Sequence, residues 1–230
     1  MGFYLDDVVP WGRRFEEYRA MFALSNDDLT RRLLGCGDGP ASFNAEATAA
    51  GVDVVSVDPI YAFSAADIRA RVDSVFDDMV GQTAANAEDF TWGRGVDDLD
   101  DLVDKRRTAM ETFLGDFEAG RAKGRYLPGE LPRLSFADRS FDLAVCSHLL
   151  FLYGEQLSTQ FHVDSVAELC RIAREVRIFP LLELGSVPSR HLPSVRSQLD
   201  GLGITTRIEL VEYEFQRGGN QILVASASVD

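Results

Sequence analysis

Lysine is almost absent from the sequence. Only Lys105 and Lys123 occur among 23 basic residues, and 37 aspartates and glutamates outnumber them, so the formal net charge is −14. A surface of this sign repels polyanions, and we therefore do not expect a nucleic-acid partner. Abundant aspartate with little lysine is typical of proteins from salt-loving organisms, but a GC-rich genome also favours arginine over lysine. Both explanations stay open.

Cysteine is scarce, and the three residues are scattered. Cys36, Cys146 and Cys170 show no Cys-x-x-Cys spacing. This pattern favours reduced thiols over a disulfide framework or a zinc site. We expect no structural metal.

Long apolar runs are missing as well. No stretch approaches the roughly 18 uncharged apolar residues that a membrane-spanning helix needs. Residues 1–7 also lack the basic and apolar regions of a secretory leader. We therefore expect a cytoplasmic protein with no membrane partner.

What the sequence does contain is an alternation of helical and strand patterns. Helices are predicted over 15–24, 41–50, 66–80, 98–122 and 163–174, with a second short helix starting at Ser25. Strands are predicted up to Leu33-Leu34 and over 52–57, 125–127, 141–146, 176–182, 205–215 and 221–225. Such alternation indicates a mainly parallel sheet, closed here by an antiparallel hairpin with its turn over 217–220. We expect one domain over 1–230, with lead-in helices over 1–30 and a helical insertion over 64–123.

A glycine cluster follows the first predicted strand. Gly35, Gly37 and Gly39 let a ligand approach the backbone closely, and the helix after them presents free N–H groups. Asp58 ends the next strand, where a carboxylate can accept hydrogen bonds from both hydroxyls of a ribose. Together these residues indicate a cofactor of the adenosine type. The structural alternative is a tight turn, with Asp58 merely capping a strand before Pro59.

Two other kinds of nucleotide site lack their signatures here. A dinucleotide fingerprint needs a third small residue where this chain has Pro40, and Asp38 disfavours an anionic pyrophosphate. No Gly-Lys-Ser/Thr follows the glycines, so a Walker-type phosphate loop is excluded. A cofactor without phosphate fits better.

Together with a third block, these motifs resemble the ordered series of class I S-adenosylmethionine-dependent methyltransferases. The third block is similar to their Leu-Pro-Phe-x-Asp-x-Ser-Phe-Asp stretch and reads Leu134-Ser135-Phe136-Ala137-Asp138-Arg139-Ser140-Phe141-Asp142. The resemblance spans about residues 31–182, apart from the insertion. It implies a Rossmann-like, doubly wound α/β fold and S-adenosylmethionine as the cofactor.

The resemblance also implies a set of cofactor-binding residues. They are Gly35, Cys36 and Gly37 for the methionine and ribose portion, Asp58 followed by Pro59 for the ribose hydroxyls, Glu130 and Leu131 for the adenine, and Cys146 and Ser147 for the methionine portion. The chain departs from the family in two places. The acidic residue that the family carries two positions before the first glycine is Leu33 here, and the connection between the second and third strands is several times longer than usual.

Catalysis in this family often needs little beyond alignment of the acceptor with an already activated methyl group. The sequence leaves the catalytic residue unknown and a base optional. His148 is the candidate for such a base, because imidazole titrates near neutrality and its position would face the cofactor. A partly buried histidine bonded to the backbone is the alternative. Tyr153 would line the acceptor pocket or serve only in packing. His162 and His191 lack metal-ligand partners at useful spacing, and we assign them no role.

An unusual segment, Pro10-Trp11-Gly12-Arg13-Arg14, precedes the first helix. One hypothesis is that it folds over the cofactor pocket and that Arg13 or Arg14 pairs with the methionine carboxylate. Simple surface exposure of both arginines is the alternative.

The sequence therefore predicts a methyltransferase that acts on a small molecule or a protein side chain. A non-catalytic protein that binds S-adenosylmethionine or its demethylated product is the alternative, and a nicotinamide-dependent oxidoreductase is disfavoured by Asp38 and Pro40. The insertion is expected to form either a lid over the acceptor or a dimer surface, so a homodimer is among the expectations. The sequence does not identify the acceptor.

Overall fold

Buried β-branched and apolar runs form the strands of the protein. The computed structural model describes residues 11–93 and 95–227. The strands are β1 (Leu33–Cys36), β2 (Val54–Val57), β3 (Tyr126–Leu127), β4 (Phe141–Ser147), β5 (Ala173–Phe179), β6 (Leu182–Glu183), β7 (Val187–Pro188), β8 (Ile204–Leu210) and β9 (Gln221–Ala227). β1 and β2 are buried along their whole length, as expected for central strands of a parallel sheet covered on both faces.

The helices connect these strands. They are α1 (Phe15–Met21), α2 (Phe43–Ala49), α3 (Ala65–Ala85), α4 (Leu99–Ala122), α5 (Thr159–Ile172) and α6 (Leu192–Gly201), with short 3-10 helices at Asp28–Thr30, Pro59–Ala62 and Ala87–Asp89. No helix within the described ranges is both long and apolar enough to cross a membrane.

Seven strands form one sheet in the order β3-β2-β1-β4-β5-β9-β8. The first five are parallel, and β9 runs antiparallel to both β5 and β8. The strand order reverses between β1 and β4, and the carboxyl ends of parallel strands leave a crevice at such a switch point. The predicted fold class, a doubly wound, mainly parallel sheet with a C-terminal antiparallel pair and a helical insertion after β2, is confirmed.

Alternating side chains on the strands produce two cores. Leu34 and Cys36 of β1 face the cluster that contains α5 and α6, while Leu33 faces the cluster that contains α1 and α2. Each face of the sheet is therefore covered by helices, which is why the strands are apolar on both sides.

The insertion is a pair of long helices. Ser64 caps α3, because its Oγ accepts a hydrogen bond from the Asp67 amide at 3.2 Å. Apolar side chains of α3 and α4 share one buried cluster with Tyr126 of β3. The insertion is thus packed onto the edge strand of the sheet.

Several element boundaries differ from the sequence predictions. The helix predicted over 163–174 begins at Thr159 instead, where Ser158 caps it, and the chain passes directly from Ile172 into β5. The second lead-in helix is only the 3-10 turn Asp28–Thr30, because the Asp28 carboxylate binds back to Ser25. The short hairpin β6–β7 and helix α6 were not predicted.

The closing hairpin also differs from its prediction. β8 ends at Leu210, so ten residues, and not a tight turn over 217–220, connect it to β9. Within this connection Tyr213 and Phe215 are buried. Phe215 stacks on Phe90 with ring centroids 4.8 Å apart. The connection turns inward because this long-range packing is more favourable than a continued exposed strand.

Candidate functional site

A cavity of about 390 Å³ lies at the switch point of the sheet. Cys36, Asp58 and Ser147, at the carboxyl ends of β1, β2 and β4, contribute to its wall. Its volume falls within the range of small-molecule and cofactor pockets. The cavity is therefore where the fold favours ligand binding.

The glycine turn after β1 forms the floor of this cavity. Gly37 has φ of +70°, and a Cβ at this position would lie 2.8 Å from Cδ2 of Leu149. The turn is held to the end of β2, because the Gly37 amide donates to the Val57 carbonyl at 2.9 Å. The hydroxyl of Tyr61 also donates to the Gly39 carbonyl at 2.8 Å. Backbone therefore approaches the cavity where a side chain would otherwise block it.

Asp58 reaches back to the glycine turn from the end of β2. Its Oδ2 accepts a hydrogen bond from the Gly39 amide at 2.8 Å, and its Oδ1 accepts one from the Ile60 amide at 2.9 Å. Burial raises the pKa of Asp58 to about 6, although these two amides lower it. Each carboxylate oxygen keeps a further acceptor site for a ligand hydroxyl.

Asp38 is a second buried carboxylate in the cavity wall. Oδ1 accepts a hydrogen bond from the hydroxyl of Tyr18 at 2.9 Å, and Oδ2 accepts one from that of Ser56 at 2.6 Å. Burial raises the pKa of Asp38 to about 7 despite these two donors, and the charge of Asp58 raises it further. No lysine or arginine among the described residues pairs with it. A ligand cation would compensate its charge.

Arg13 supplies the opposite charge on the same cavity. Glu17 is already matched by Arg106, which is fully buried and donates two hydrogen bonds of 2.7 Å to it. Burial and the nearby Arg106 charge lower the pKa of Arg13. Its Nε is buried without a hydrogen-bond partner in the described part of the chain. Glu17 also acts on Arg13, but among the described residues no carboxylate lies within ion-pair distance of it, and Arg13 lines the cavity.

His148 follows β4 and lines the cavity between these groups. Its Nδ1 lies 2.8 Å from Oγ of Ser147, and its backbone adopts φ of +53°. Its backbone amide donates to the Phe179 carbonyl at 2.7 Å. Burial, and then the charges of Arg13 and Arg106, lower the pKa of His148 well below its usual value. The imidazole is therefore neutral at neutral pH, and a neutral imidazole has one nitrogen that accepts hydrogen bonds.

No family model matches the chain. Over 221 residues it is 33% identical to uncharacterized protein MJ0045 of Methanocaldococcus jannaschii, and the match covers 96% of each chain. The chain belongs to the MJ0045 family.

Solved structures show more distant likenesses to this MJ0045-family chain. Magnesium protoporphyrin IX methyltransferase from Synechocystis PCC 6803 with bound SAH is 17% identical, over 93% of this chain and 82% of that chain, with a TM-score of 0.46. A TehB-like SAM-dependent methyltransferase from Corynebacterium glutamicum is 14% identical, over 96% of this chain and 89% of that chain, also with a TM-score of 0.46. The functional proposal below rests on the chain's own site.

The MJ0045-family cavity brings together most of the site residues predicted from sequence. Its wall includes Cys36, Gly37, Asp58, Pro59, Glu130, Ser147, His148 and Tyr153. Gly35, Leu131 and Cys146 do not line the cavity. Gly35 lies beneath the Asp38 carboxylate, while Leu131 and Cys146 are buried in the sheet core. The cofactor contacts expected for these residues stay predictions.

The structure separates the two arginines of the leading segment. Arg13 and Trp11 line the cavity, and Pro10 lies outside the described residues. Arg14 instead lies 3.6 Å from Glu46 of α2 through its Nε. The hypothesis that this segment covers the cofactor pocket therefore now concerns Arg13.

Sequence patterns missed two contributors to the site. Neither Tyr18 nor Arg106 was among the residues predicted for the site. Tyr18 contributes through its buried hydroxyl, which donates a hydrogen bond to Asp38. In the sequence, the position of Asp38 within the glycine cluster was the one sign that it belongs to the site. Leu33 itself is buried in the core, whereas Asp38, five residues later, lines the cavity.

The side chains of the two remaining histidines, His162 and His191, contact backbone groups near the cavity. Nε2 of His162 accepts a hydrogen bond from the Phe151 amide at 3.0 Å, and Nε2 of His191 lies 2.7 Å from the Gly154 carbonyl. Their rings pack 4.9 Å apart. Within residues 11–93 and 95–227, no three His, Cys, Asp or Glu side chains are grouped as metal ligands.

Proposed function

We propose that this MJ0045-family protein is an S-adenosylmethionine-dependent methyltransferase. One observation carries the proposal: a single cavity presents Asp58 beside the glycine turn and, in the same wall, the charges of Asp38 and Arg13, neither of which has an ion-pair partner among the described residues. A ribose is complementary to the first group, and a zwitterionic amino acid is complementary to the other two. S-Adenosylmethionine and its demethylated product contain both.

The adenosine end would be held by the turn and by Asp58. The ribose hydroxyls donate to the Asp58 carboxylate, whose other acceptor sites already bind the Gly39 and Ile60 amides. A pyrophosphate at this place would face two buried carboxylates, Asp58 and Asp38. This repulsion disfavours a dinucleotide.

The amino-acid end would be held by paired charges. Arg13 binds the carboxylate through its guanidinium, whose Nε has no partner among the described residues, and Asp38 binds the ammonium group. Leu33 therefore does not prevent recognition of methionine, because Asp38 supplies the acid from the glycine turn. This arrangement removes the main reason for the non-catalytic alternative.

The cofactor supplies a methyl group that is already activated by a positively charged sulfur. The protein's own part is to hold the acceptor in line, to exclude water and to take a proton where the acceptor loses one. Neutral His148 fits the last task, since it lines the cavity and its Nδ1 is fixed against Ser147.

Isothermal titration calorimetry tests the proposal. We expect S-adenosylmethionine and S-adenosylhomocysteine to bind with one site per chain, and NAD not to bind. Asp58→Asn should weaken the affinity for both ligands by tenfold or more. Asp53 is an exposed aspartate just before β2, and Asp53→Asn should leave both affinities unchanged. Equal binding of NAD, or full affinity in Asp58→Asn, would overturn the proposal. Methyl transfer from labelled cofactor then separates an enzyme from a binding protein.

A further inference from the structure

Besides the glycine turn and the residues after β2, four segments contribute to the cavity wall. They are the end of α3 with the residues after it, the segment after β4 into α5, the β6–β7 hairpin and the β8–β9 connection. Their side chains at the wall are largely apolar or aromatic, and include Met79, Phe90, Leu152, Leu157, Phe161 and Phe215. We call the part of the cavity that these segments line the acceptor chamber.

The insertion is bonded to the β8–β9 connection at the wall of the acceptor chamber. The Thr91 amide donates to the Phe215 carbonyl at 2.7 Å, and the Arg217 amide donates to the Asp89 carbonyl at 2.8 Å. Phe90 stacks on Phe215 between these two bonds. The insertion and the β8–β9 connection thus form one continuous roof.

The β6–β7 hairpin joins the same enclosure. The Ser186 hydroxyl donates to the Asp89 carbonyl at 3.1 Å, and the Gln216 side-chain amide donates to the Glu183 carbonyl at 2.8 Å. The Leu184 amide also donates to the Leu152 carbonyl at 3.1 Å. Hydrogen bonds therefore link all four segments that line the chamber.

Size and charge limit what can enter such a chamber. The whole cavity of about 390 Å³ must hold the cofactor as well, so a folded polymer chain does not fit beside it. Asp89 is the one charged side chain in the wall of the chamber among the described residues. A phosphate backbone or an extended peptide would leave its polar groups unpaired against apolar side chains.

The geometry at the transfer end suits an acceptor that loses a proton. His148 lines the cavity there, and its Nδ1 lies 2.8 Å from Oγ of Ser147. A protonated amine has no lone pair with which to attack the methyl carbon, and the positively charged sulfur would repel it. A hydroxyl or thiol keeps its lone pairs and can give its proton to His148.

We propose that the acceptor is a small, uncharged and largely apolar molecule with one nucleophilic hydroxyl or thiol, enclosed beneath the insertion against Phe90 and Phe215. This inference rests on the proposed methyltransferase function. The acceptor's oxygen or sulfur forms a bond to the methyl carbon as the carbon–sulfur bond breaks. The bonding pair stays on the former sulfonium, and the acceptor's proton passes to His148.

Binding to the protein loaded with S-adenosylhomocysteine tests the inference without turnover. The probes are 2-naphthol and its charged counterpart naphthalene-2-sulfonate, titrated by calorimetry. Leu157→Trp fills the chamber from its wall, and Leu202→Trp makes the same exchange at an exposed position beyond α6. Affinity for S-adenosylhomocysteine reports whether each variant is folded.

We expect one molecule of 2-naphthol to bind the wild type and Leu202→Trp equally, and to bind Leu157→Trp at least tenfold more weakly. The sulfonate should bind the wild type at least tenfold more weakly than 2-naphthol. The inference would be overturned if 2-naphthol did not bind the wild type or bound Leu157→Trp as tightly as the wild type. It would also be overturned if the sulfonate bound the wild type as tightly as 2-naphthol. Neither result would contradict the cofactor site. If S-adenosylhomocysteine itself does not bind, the proposed methyltransferase function is contradicted, and so is the inference that rests on it.

A second measurement addresses macromolecular acceptors. Methyl label from S-adenosylmethionine is followed into a cell extract that is separated into organic-soluble small molecules, polypeptide and nucleic acid. We expect label in the first fraction. Label in either polymer would contradict an enclosed small acceptor.

Discussion

The phenol of Tyr18 donates a 2.9 Å hydrogen bond to the carboxylate of Asp38, which lies in the glycine turn. The contact joins α1 to the turn and fixes a buried charge in the cavity wall. Tyr18 also stacks on Phe43 with ring centroids 4.1 Å apart, so its ring is held by α2 as well. The first helix is therefore part of the binding site.

The ionisation of Asp38 should make ligand affinity depend on pH. An ammonium group pairs with the ionised carboxylate, and the pKa of Asp38 in the free protein is about 7. Affinity for S-adenosylmethionine should therefore increase by about tenfold from pH 6 to pH 8. Calorimetry at both values measures this change. The same dependence in Asp38→Asn would show that another group is responsible.

Stability should respond to Asp38 with the opposite sign. The unfolded carboxyl has a pKa of about 3.9, so the folded protein binds more protons between about pH 4 and pH 7. The contribution of Asp38 to the free energy of unfolding therefore decreases as pH rises through this window. Urea unfolding of the wild type and of Asp38→Asn, each at pH 5 and pH 8, measures this contribution to the free energy of unfolding. The wild type should lose stability relative to the variant at the higher pH, and a constant difference would contradict the assignment.

Arg13→Ala should weaken binding of S-adenosylmethionine by tenfold or more, because it removes the charge proposed to pair with the carboxylate. Arg14→Ala provides the matched control, since Arg14 lies against Glu46 and does not line the cavity. Decarboxylated S-adenosylmethionine sharpens the test. With this analogue the two variants should bind alike, and a persistent loss in Arg13→Ala would point to damage of the fold.

His148 should remain neutral through the physiological range. Its pKa is lowered first by burial and then by Arg13 and Arg106, so the NMR titration of its ring should have a midpoint below 6.5. Removal of a positive charge in Arg13→Ala should move that midpoint upward. With a hydroxyl acceptor, His148→Gln should lower kcat by about a hundredfold or more while KM for S-adenosylmethionine stays unchanged. Unchanged kcat would restrict His148 to a packing role.

Arg106→Met should be strongly destabilising. Burial alone would raise the pKa of Glu17, but the charge and hydrogen bonds of Arg106 hold it at about 2. Loss of the buried partner should reduce the free energy of unfolding by about 3 kcal/mol. The same exchange at Arg69, which pairs with Glu111 on the surface, should cost less than about 1 kcal/mol. Urea unfolding compares the two, and equal losses would contradict the importance of burial.

The parallel part of the fold could be predicted because its information is local. Val54–Val57 is a buried, β-branched strand flanked by Gly51 and Pro59, and the insertion helices carry apolar residues at helical spacing. The β8–β9 connection could not, because Phe215 turns inward to meet Phe90, which lies far away in sequence. The sequence pattern of residues 211–220 alone does not predict that contact.

The candidate site divides in the same way. The glycine turn and Asp58 lie in one strand-turn-helix-strand unit, so spacing alone related them. The importance of Tyr18 and Arg106 depends on partners that only tertiary packing supplies, namely Asp38 and Glu17. A tyrosine or arginine at an otherwise apolar helix position could have indicated these two residues. The polar end of such a side chain needs a hydrogen-bond partner when it is buried.

The bonds between the residues after α3 and the β8–β9 connection have a consequence for kinetics. Release of a compound made against Phe90 and Phe215 should be coupled to motion of the segments that these two hydrogen bonds join. Such segment motions occur on microsecond to millisecond timescales and often limit enzymes whose chemistry is fast. We expect a rapid first turnover followed by a slower steady rate, visible as a burst in a stopped-flow or quenched-flow trace.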